Sequence, residues 1–172
     1  MLKINFSKNL NLKIITPPTI FNDHRGMYTE THNEQIYKSL KLKKKFISDC
    51  FIYSSKNVLR GIHGDSITWK LVNCIAGEFF IAIVNLDKNS LHYCKHDSFI
   101  MSSKKRFQIL VPPLHGIGHL ITSSNAIYHY KQTSYYEQKD EFVEYWNDSR
   151  FNINWPIKKP ILSRKDNPEN EK

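Results

Sequence analysis

Over residues 1–22 apolar side chains alternate weakly with polar ones (Ile4, Phe6, Leu10, Leu12, Ile14). This predicts one or two N-terminal strands, stopped at Pro17-Pro18. Asp23 and Gly26 then mark a turn flanked by Arg25 and Glu30. The spacing becomes helical over 33–45: Asn33 can cap the first turn, Glu34 lies within it, and Ile36 and Leu40 share a face. The run from Lys41 to Lys45 falls at the C-terminal end of that predicted helix, where the macrodipole favours cations. From Phe46 to Tyr136 the pattern is one of short strands separated by turns, with candidates at 46–54, 69–76, 78–87, 98–101, 107–111, 117–122 and 126–136. Phe79 to Val84 is continuously apolar, as in a strand covered on both faces. So many strands without alternating helices predict an all-β sandwich or barrel, with the jelly roll first among them. Residues 137–160 are irregular, with a short helix expected near 141–146 and with Trp146 and Trp155 anchoring the segment onto the sandwich. The polar end is expected to fray beyond Asp166.

Composition narrows this only a little. A length of 172 residues makes one domain over 1–172 the expectation, and it is enough chain to bury a core without staples. No apolar run approaches the ~20 residues of a membrane span. The N-terminal stretch lacks the apolar segment of a signal peptide. Cys50, Cys74 and Cys94 are odd in number and widely spaced, which fits buried free thiols in a reducing cytoplasm better than a disulfide framework. The formal charge of +9 admits nucleic acid or a small phosphorylated ligand as partner. The one dense lysine run already has a structural reason in the helix end, so no nucleic-acid partner and no membrane partner is expected.

The chemistry concentrates in Asn57 to Lys70, NVLRGIHGDSITWK. Arg60 suits a phosphate through its planar fork, His63 can take and return a proton near neutrality, and Lys70 can hold charge developing on an oxygen. Together with Trp69 these residues point to proton transfer beside a phosphate-bearing ligand. A basic surface hairpin with a solvated histidine would look the same by spacing. His115-Gly-Ile-Gly-His119 competes: on a strand, 115, 117 and 119 face one way, so both imidazoles could join His63 in a three-histidine metal site. No further carboxylate is placed to complete it, and neither metal nor cofactor is expected. Tyr128, Tyr130 and Tyr136 share strand parity, and each is either aromatic packing or a phenol held as a proton donor. Phosphate-loop, dinucleotide and nucleophile-elbow motifs are missing.

Several motifs in order carry a resemblance. They are FxDxRGxxxE (Phe21, Asp23, Arg25, Gly26, Glu30), VLRGIH (Val58 to His63), WKLV (Trp69 to Val72), VPP at Val111, the tyrosine segment, WND at Trp146, WP at Trp155 and LSxKD (Leu162 to Asp166). From Phe21 to about Asp166 the chain resembles the dTDP-4-dehydrorhamnose 3,5-epimerase family of cupin-type jelly rolls. That resemblance implies a cofactor-free epimerase inverting C3, C5 or both of a nucleotide-linked 4-keto-6-deoxy sugar. It makes His63 the base, Asp166 the carboxylate that orients it, Lys70 the support for an enolate oxygen and Tyr130 the acid on the opposite face. Tyr136 would line the pocket, Arg60 would touch the diphosphate, and Arg25 and Glu30 would touch the nucleotide, often across a homodimer interface. A 3,4-ketoisomerase on the same scaffold and a non-catalytic basic binding module are the alternatives.

The departures matter too. The family's usual histidine in its AHGF stretch aligns with Ile117, leaving His115 or His119 to replace it. Gly64-Asp65 stand where an aromatic and a glutamine are usual, and Asn85 stands for a common aspartate. The RGIHGD…TWKLV and VPPLHGxGHL combination resembles relatives acting on GDP-linked 4-keto-6-deoxy-heptoses for bacterial capsule. On that reading Gly64 makes room for the larger sugar.

Overall fold

The computed structural model describes residues 2–17 and 20–167. Its strands are β1 (Lys3–Phe6), β2 (Lys13–Thr16), β3 (Ile20–Asp23), β4 (Gly26–Thr29), β5 (Ser48–Ser55), β6 (Leu59–Asp65), β7 (Lys70–Ala76), β8 (Glu78–Asn85), β9 (His96–Ser102), β10 (Gln108–Val111), β11 (His115–Ile121), β12 (Asn125–Gln132) and β13 (Glu141–Val143). They form a six-stranded sheet, β1-β2-β10-β7-β12-β5, a five-stranded sheet, β13-β6-β11-β8-β9, and a separate β3–β4 hairpin. Every strand pair is antiparallel. The two large sheets stack as the expected cupin-type sandwich, 47% strand and 6% helix.

Alternation along β8 shows why the sandwich holds. Phe79, Ile81 and Ile83 point inward to a core with Val72, Ile109, Ile117 and Tyr128. The residues between them point outward, Ala82 under Trp155 and Val84 under Phe151. Each fully buried side chain of this size contributes roughly 1.5–3 kcal/mol. The C-terminal segment is thus a cover over the five-stranded sheet, held by Trp155 Nε1 donating to the Trp146 carbonyl at 2.7 Å. The N-terminal strands and the first helix cover part of the other sheet, with Tyr37 and Leu40 buried against Leu71 and Leu110.

Four expectations need correction. The helix is one short turn, α1 (Glu34–Tyr37), continued by a 3-10 turn at Lys38–Leu40. Asn33 does cap it, accepting from the amides of Gln35 and Ile36. The helix ends because Lys41 is left-handed at φ 55; a run of like charges gains nothing from one more helical turn, so the lysines lie beyond the helix. The 141–146 segment forms β13 rather than a helix, pairing with β6. The strand β6 itself went unrecognised in the alternation. Among the cysteines only Cys74 is buried, while Cys50 and Cys94 are partly exposed.

Candidate active site

A cleft of about 280 Å³ opens between the two large sheets. From the six-stranded sheet it receives Ile52, Lys70, Tyr128, Tyr130 and Gln132, and from the five-stranded sheet Arg60, His63, Asp65, Ile117, His119 and Glu141. On β12 the contributors are every second residue, as the pleat requires. On β6 they are not: Arg60 and His63 are three apart. The pairing explains this, since Ile117 faces His63 while His119 faces Arg60, so β6 carries one extra residue between them. That bulge turns both side chains to the same face. Gly61 sits in it at φ 120, and a Cβ there would lie 2.4 Å from the Ile117 carbonyl oxygen, so only glycine fits.

His63 Nε2 lies 2.5 Å from Asp166 Oδ1, across 103 residues of sequence. The chain achieves this by pinning Ile161 to the start of β6, through hydrogen bonds with Asn57 and Leu59. A turn at Ser163 then swings Asp166 under the imidazole, and Ser163 Oγ donates to Asp166 Oδ2 at 2.8 Å. Burial alone would push the Asp166 carboxyl up; hydrogen bonds from His63 and Ser163 outweigh it and leave the group below the usual carboxylate range. On the other side of the ring, His63 Nδ1 lies 3.5 Å from Glu141 Oε1. Glu141 also accepts from the Tyr136 hydroxyl at 3.2 Å and pairs with Lys165.

Across the cleft, Lys70 Nζ stands 3.7 Å from Asp65 Oδ2. Asp65 is itself fixed by the amides of Ile67 and Thr68, at 3.0 and 2.7 Å. Burial, followed by the neighbouring Cys50 thiol, pushes the Tyr130 phenol up to about 12. Arg60 donates from Nε to Ser54 Oγ at 3.1 Å. His119 lies on the floor, stacked on Tyr128 with ring centroids 4.2 Å apart. Burial first, then the neighbouring Arg60 guanidinium, takes its imidazole down to about 3, so it is neutral at any ordinary pH. Its buried Nε2 has no hydrogen-bond partner among the described residues.

The structure therefore brings His63, Asp166, Lys70, Tyr130, Tyr136, Arg60 and His119 together. Tyr136 arrives from a loop beyond β12 rather than by strand parity. His115 is not brought in: at the start of β11 its Nδ1 turns to the Pro113 carbonyl, 2.9 Å away. The three-histidine cluster is thus not formed. Arg25 and Glu30 also lie outside the cleft. Arg25 pairs with Asp23 on the β3–β4 hairpin, and Glu30 accepts from Asn33 Nδ2 at 3.2 Å. Two of the departures do not surround the cleft. A Cβ on Gly64 would lie 2.4 Å from the His115 carbonyl and 2.6 Å from the Phe142 ring, so the space beside Gly64 is filled, not open to a sugar. Asn85 instead organises the loop after β8, bonding Ser90 and Asp87. Sequence reasoning gave no site role to Glu141, Lys165 or Ser163, although the LSxKD motif contains Ser163 and Lys165 beside Asp166.

A family model described as dTDP-4-dehydrorhamnose 3,5-epimerase matches residues 8–171. The chain belongs to the dTDP-4-dehydrorhamnose 3,5-epimerase family. The members are carbohydrate isomerases, so this is an enzyme family. The epimerase of that name from Salmonella typhimurium is 35% identical over 158 residues, 89% of this chain and 86% of the relative. Among solved structures, an epimerase from Legionella pneumophila in complex with dTDP-4-keto-L-rhamnose is 32% identical, with a TM-score of 0.89 over 96% of this chain and 90% of that one. A Bacillus anthracis family member with TDP and pyrophosphate bound is 29% identical, with a TM-score of 0.89 over 96% of this chain and 97% of that one. No helix among the described residues of this epimerase-family chain is long and apolar enough to cross a membrane.

Proposed function

We propose that the protein, acting as one catalytic domain in the cytoplasm, inverts C3, C5 or both of a nucleotide-diphosphate-linked 4-keto-6-deoxy sugar. The observation that carries this is the His63–Asp166 pair, at 2.5 Å, facing Lys70 and Tyr130 across one cleft. The 4-keto group acidifies the neighbouring C–H bonds. His63 removes such a proton as general base, and Asp166 holds the ring and stabilises its cation. Lys70 supports the enolate oxygen in a site half shielded from water. Tyr130 returns a proton from the opposite sheet, and delivery from the other face inverts the centre. Arg60 takes the diphosphate as a bidentate donor. Tyr136 closes the rim, and the neutral His119 offers a hydrogen bond to a sugar hydroxyl on the floor. The chemistry needs no cofactor.

Within this class a GDP-linked heptose destined for capsule stands first, on the RGIHGD and VPPLHGxGHL motifs. The named relatives act on dTDP sugars, so both nucleotides belong in the test. We further propose a homodimer in which Arg25 and Glu30 reach the nucleotide in the partner's cleft.

Incubation with GDP- and dTDP-4-keto-6-deoxy sugars in deuterium oxide should place deuterium at C3 or C5. His63→Asn should slow this by roughly 10²–10⁴-fold. A His63→Asn protein exchanging at the normal rate, or a product whose carbonyl has moved to C3, overturns the assignment.

A further inference from the structure

Both ring nitrogens of His63 face a carboxylate. Asp166 holds Nε2 at 2.5 Å, and Glu141 stands 3.5 Å from Nδ1. Asp166 is kept ionised by its own hydrogen bonds, so it accepts from Nε2–H. Nδ1 is then the nitrogen left to take a proton from carbon. Once Nδ1 has taken that proton, the proton must leave before His63 can act as a base again, and Glu141 Oε1, 3.5 Å away, stands where it could receive it. We propose that Glu141 is a further catalytic residue, which takes the proton from His63 Nδ1 and passes it to water. This rests on the reading of His63 as the base.

The two carboxylates differ in the way such a division of labour requires. The Asp166 side chain is 2% exposed and so reaches no solvent, whereas Glu141 is 14% exposed at the rim of the cleft. Asp166 can orient and stabilise, but it offers no way out for a proton. Glu141 is anchored on its far oxygen by the Tyr136 hydroxyl and by Lys165, which hold it beside the ring. Every turnover between a base and a separate acid leaves one proton on His63 and one missing from Tyr130. Resetting the base breaks Nδ1–H and forms O–H on Glu141, and the N–H electron pair stays on the ring. The Glu141 O–H bond then breaks as water accepts the proton, and the Tyr130 phenolate takes one proton from water, so the cycle closes with no net gain or loss. Nothing is oxidised or reduced.

Glu141→Gln keeps the shape and removes the acceptor. In a single turnover with a 4-keto-6-deoxy sugar nucleotide, loss of the substrate C–H should stay near the wild-type rate. Steady-state turnover should fall about 10–100-fold, because the base is reset slowly. In Glu141→Ala, added formate should restore turnover in proportion to its concentration; a purely structural ion pair with Lys165 would not respond in this way. Full steady-state turnover in both variants, or a slow Glu141→Ala enzyme indifferent to formate, overturns the proposal. A substrate-free readout separates this from the function itself. Exchange of the His63 ring N–H with water, followed by nitrogen-15 NMR, should slow at least about tenfold in Glu141→Gln. Unchanged or faster exchange defeats the role of Glu141 whatever the substrate proves to be. Slowed exchange in a protein that epimerises no sugar nucleotide would overturn only the proposed function.

Discussion

Two ionisable groups in the cleft, Tyr130 and Asp166, are pushed away from their ordinary ranges in directions that suit the proposed chemistry. Tyr130 is raised to about 12, chiefly by burial. As the proposed acid it must start protonated, and a raised value keeps it so as pH rises. The alkaline limb of the rate profile should therefore not come from Tyr130 until about pH 12. Asp166 must start ionised; although burial opposes it, its hydrogen bonds hold it below the usual carboxylate range. Its folded value lies below its unfolded one, so its contribution to stability is present above the unfolded value, about 3.9, and is lost as pH falls through the folded value. Urea unfolding across a pH series should show Asp166→Asn less stable than wild type at neutral pH, with the gap closing only in acid below the ordinary aspartate range. A gap that already closes between pH 6 and 5, or none at neutrality, would mean that the carboxylate is not held ionised by its partners. At this scale much of the site was legible. Arg60, His63, Lys70, Tyr130 and Asp166 are each the residue type the proposed chemistry asks for, and all five line one cleft. His115 misled because parity assigns a face and says nothing of position along the strand; it lies past the end of the cleft, bonded to Pro113. Glu141 left no trace, because it meets His63 only through the β13–β6 pairing.

The element that sequence patterning failed to find is the one carrying His63, the proposed base. Two glycines and three charged or titratable side chains in Leu59–Asp65 give β6 little intrinsic strand preference. It is a strand because β11 and β13 flank it and supply its backbone partners. The glycines are required by that crowding. At Gly64 the obstacle is double, the Phe142 ring at 2.6 Å and the His115 carbonyl at 2.4 Å. Gly64→Ala should therefore destabilise the fold by about 1–3 kcal/mol, the range for overpacking. Adding Phe142→Ala should not recover the loss, since the backbone obstacle stays and a cavity is opened besides. Thermal unfolding of the two single variants and the double variant decides this. A double variant more stable than Gly64→Ala alone would show the ring to be the only obstacle and would reopen the idea that position 64 can be made to admit a larger group. By contrast β8 announced itself, because both its faces are covered by apolar partners and the alternation disappears into a continuous run.

At the scale of the whole molecule, one chain does not place every proposed contact in its own cleft. Arg25 and Glu30 belong to the motif that begins at Phe21, yet neither lines the cavity that holds His63. Arg25 lies on the β3–β4 hairpin with its side chain 79% exposed. That hairpin exposes Phe21 and Tyr28, at 67% and 60%, and the edge strand β5 exposes Phe51 and Tyr53, at 71% and 58%. Exposed aromatic side chains on a hairpin and on a sheet edge are surfaces a second copy would cover. If Arg25 serves the partner's nucleotide, two defective proteins should repair each other. Arg25→Ala keeps the base but deprives its partner of the guanidinium; His63→Ala keeps the guanidinium but has no base. In a mixed dimer the His63-bearing cleft receives Arg25 from the other chain, and one complete site is restored. After unfolding and refolding an equimolar mixture, random pairing puts complete sites at about a quarter of the wild-type number, because half of the dimers are mixed and each has one good cleft of two. Activity should rise to that level, well above the mean of the two variants kept apart. A mixture no more active than that mean, from dimers shown by mass to have exchanged chains, would place Arg25 in its own chain's cleft or remove it from nucleotide binding altogether.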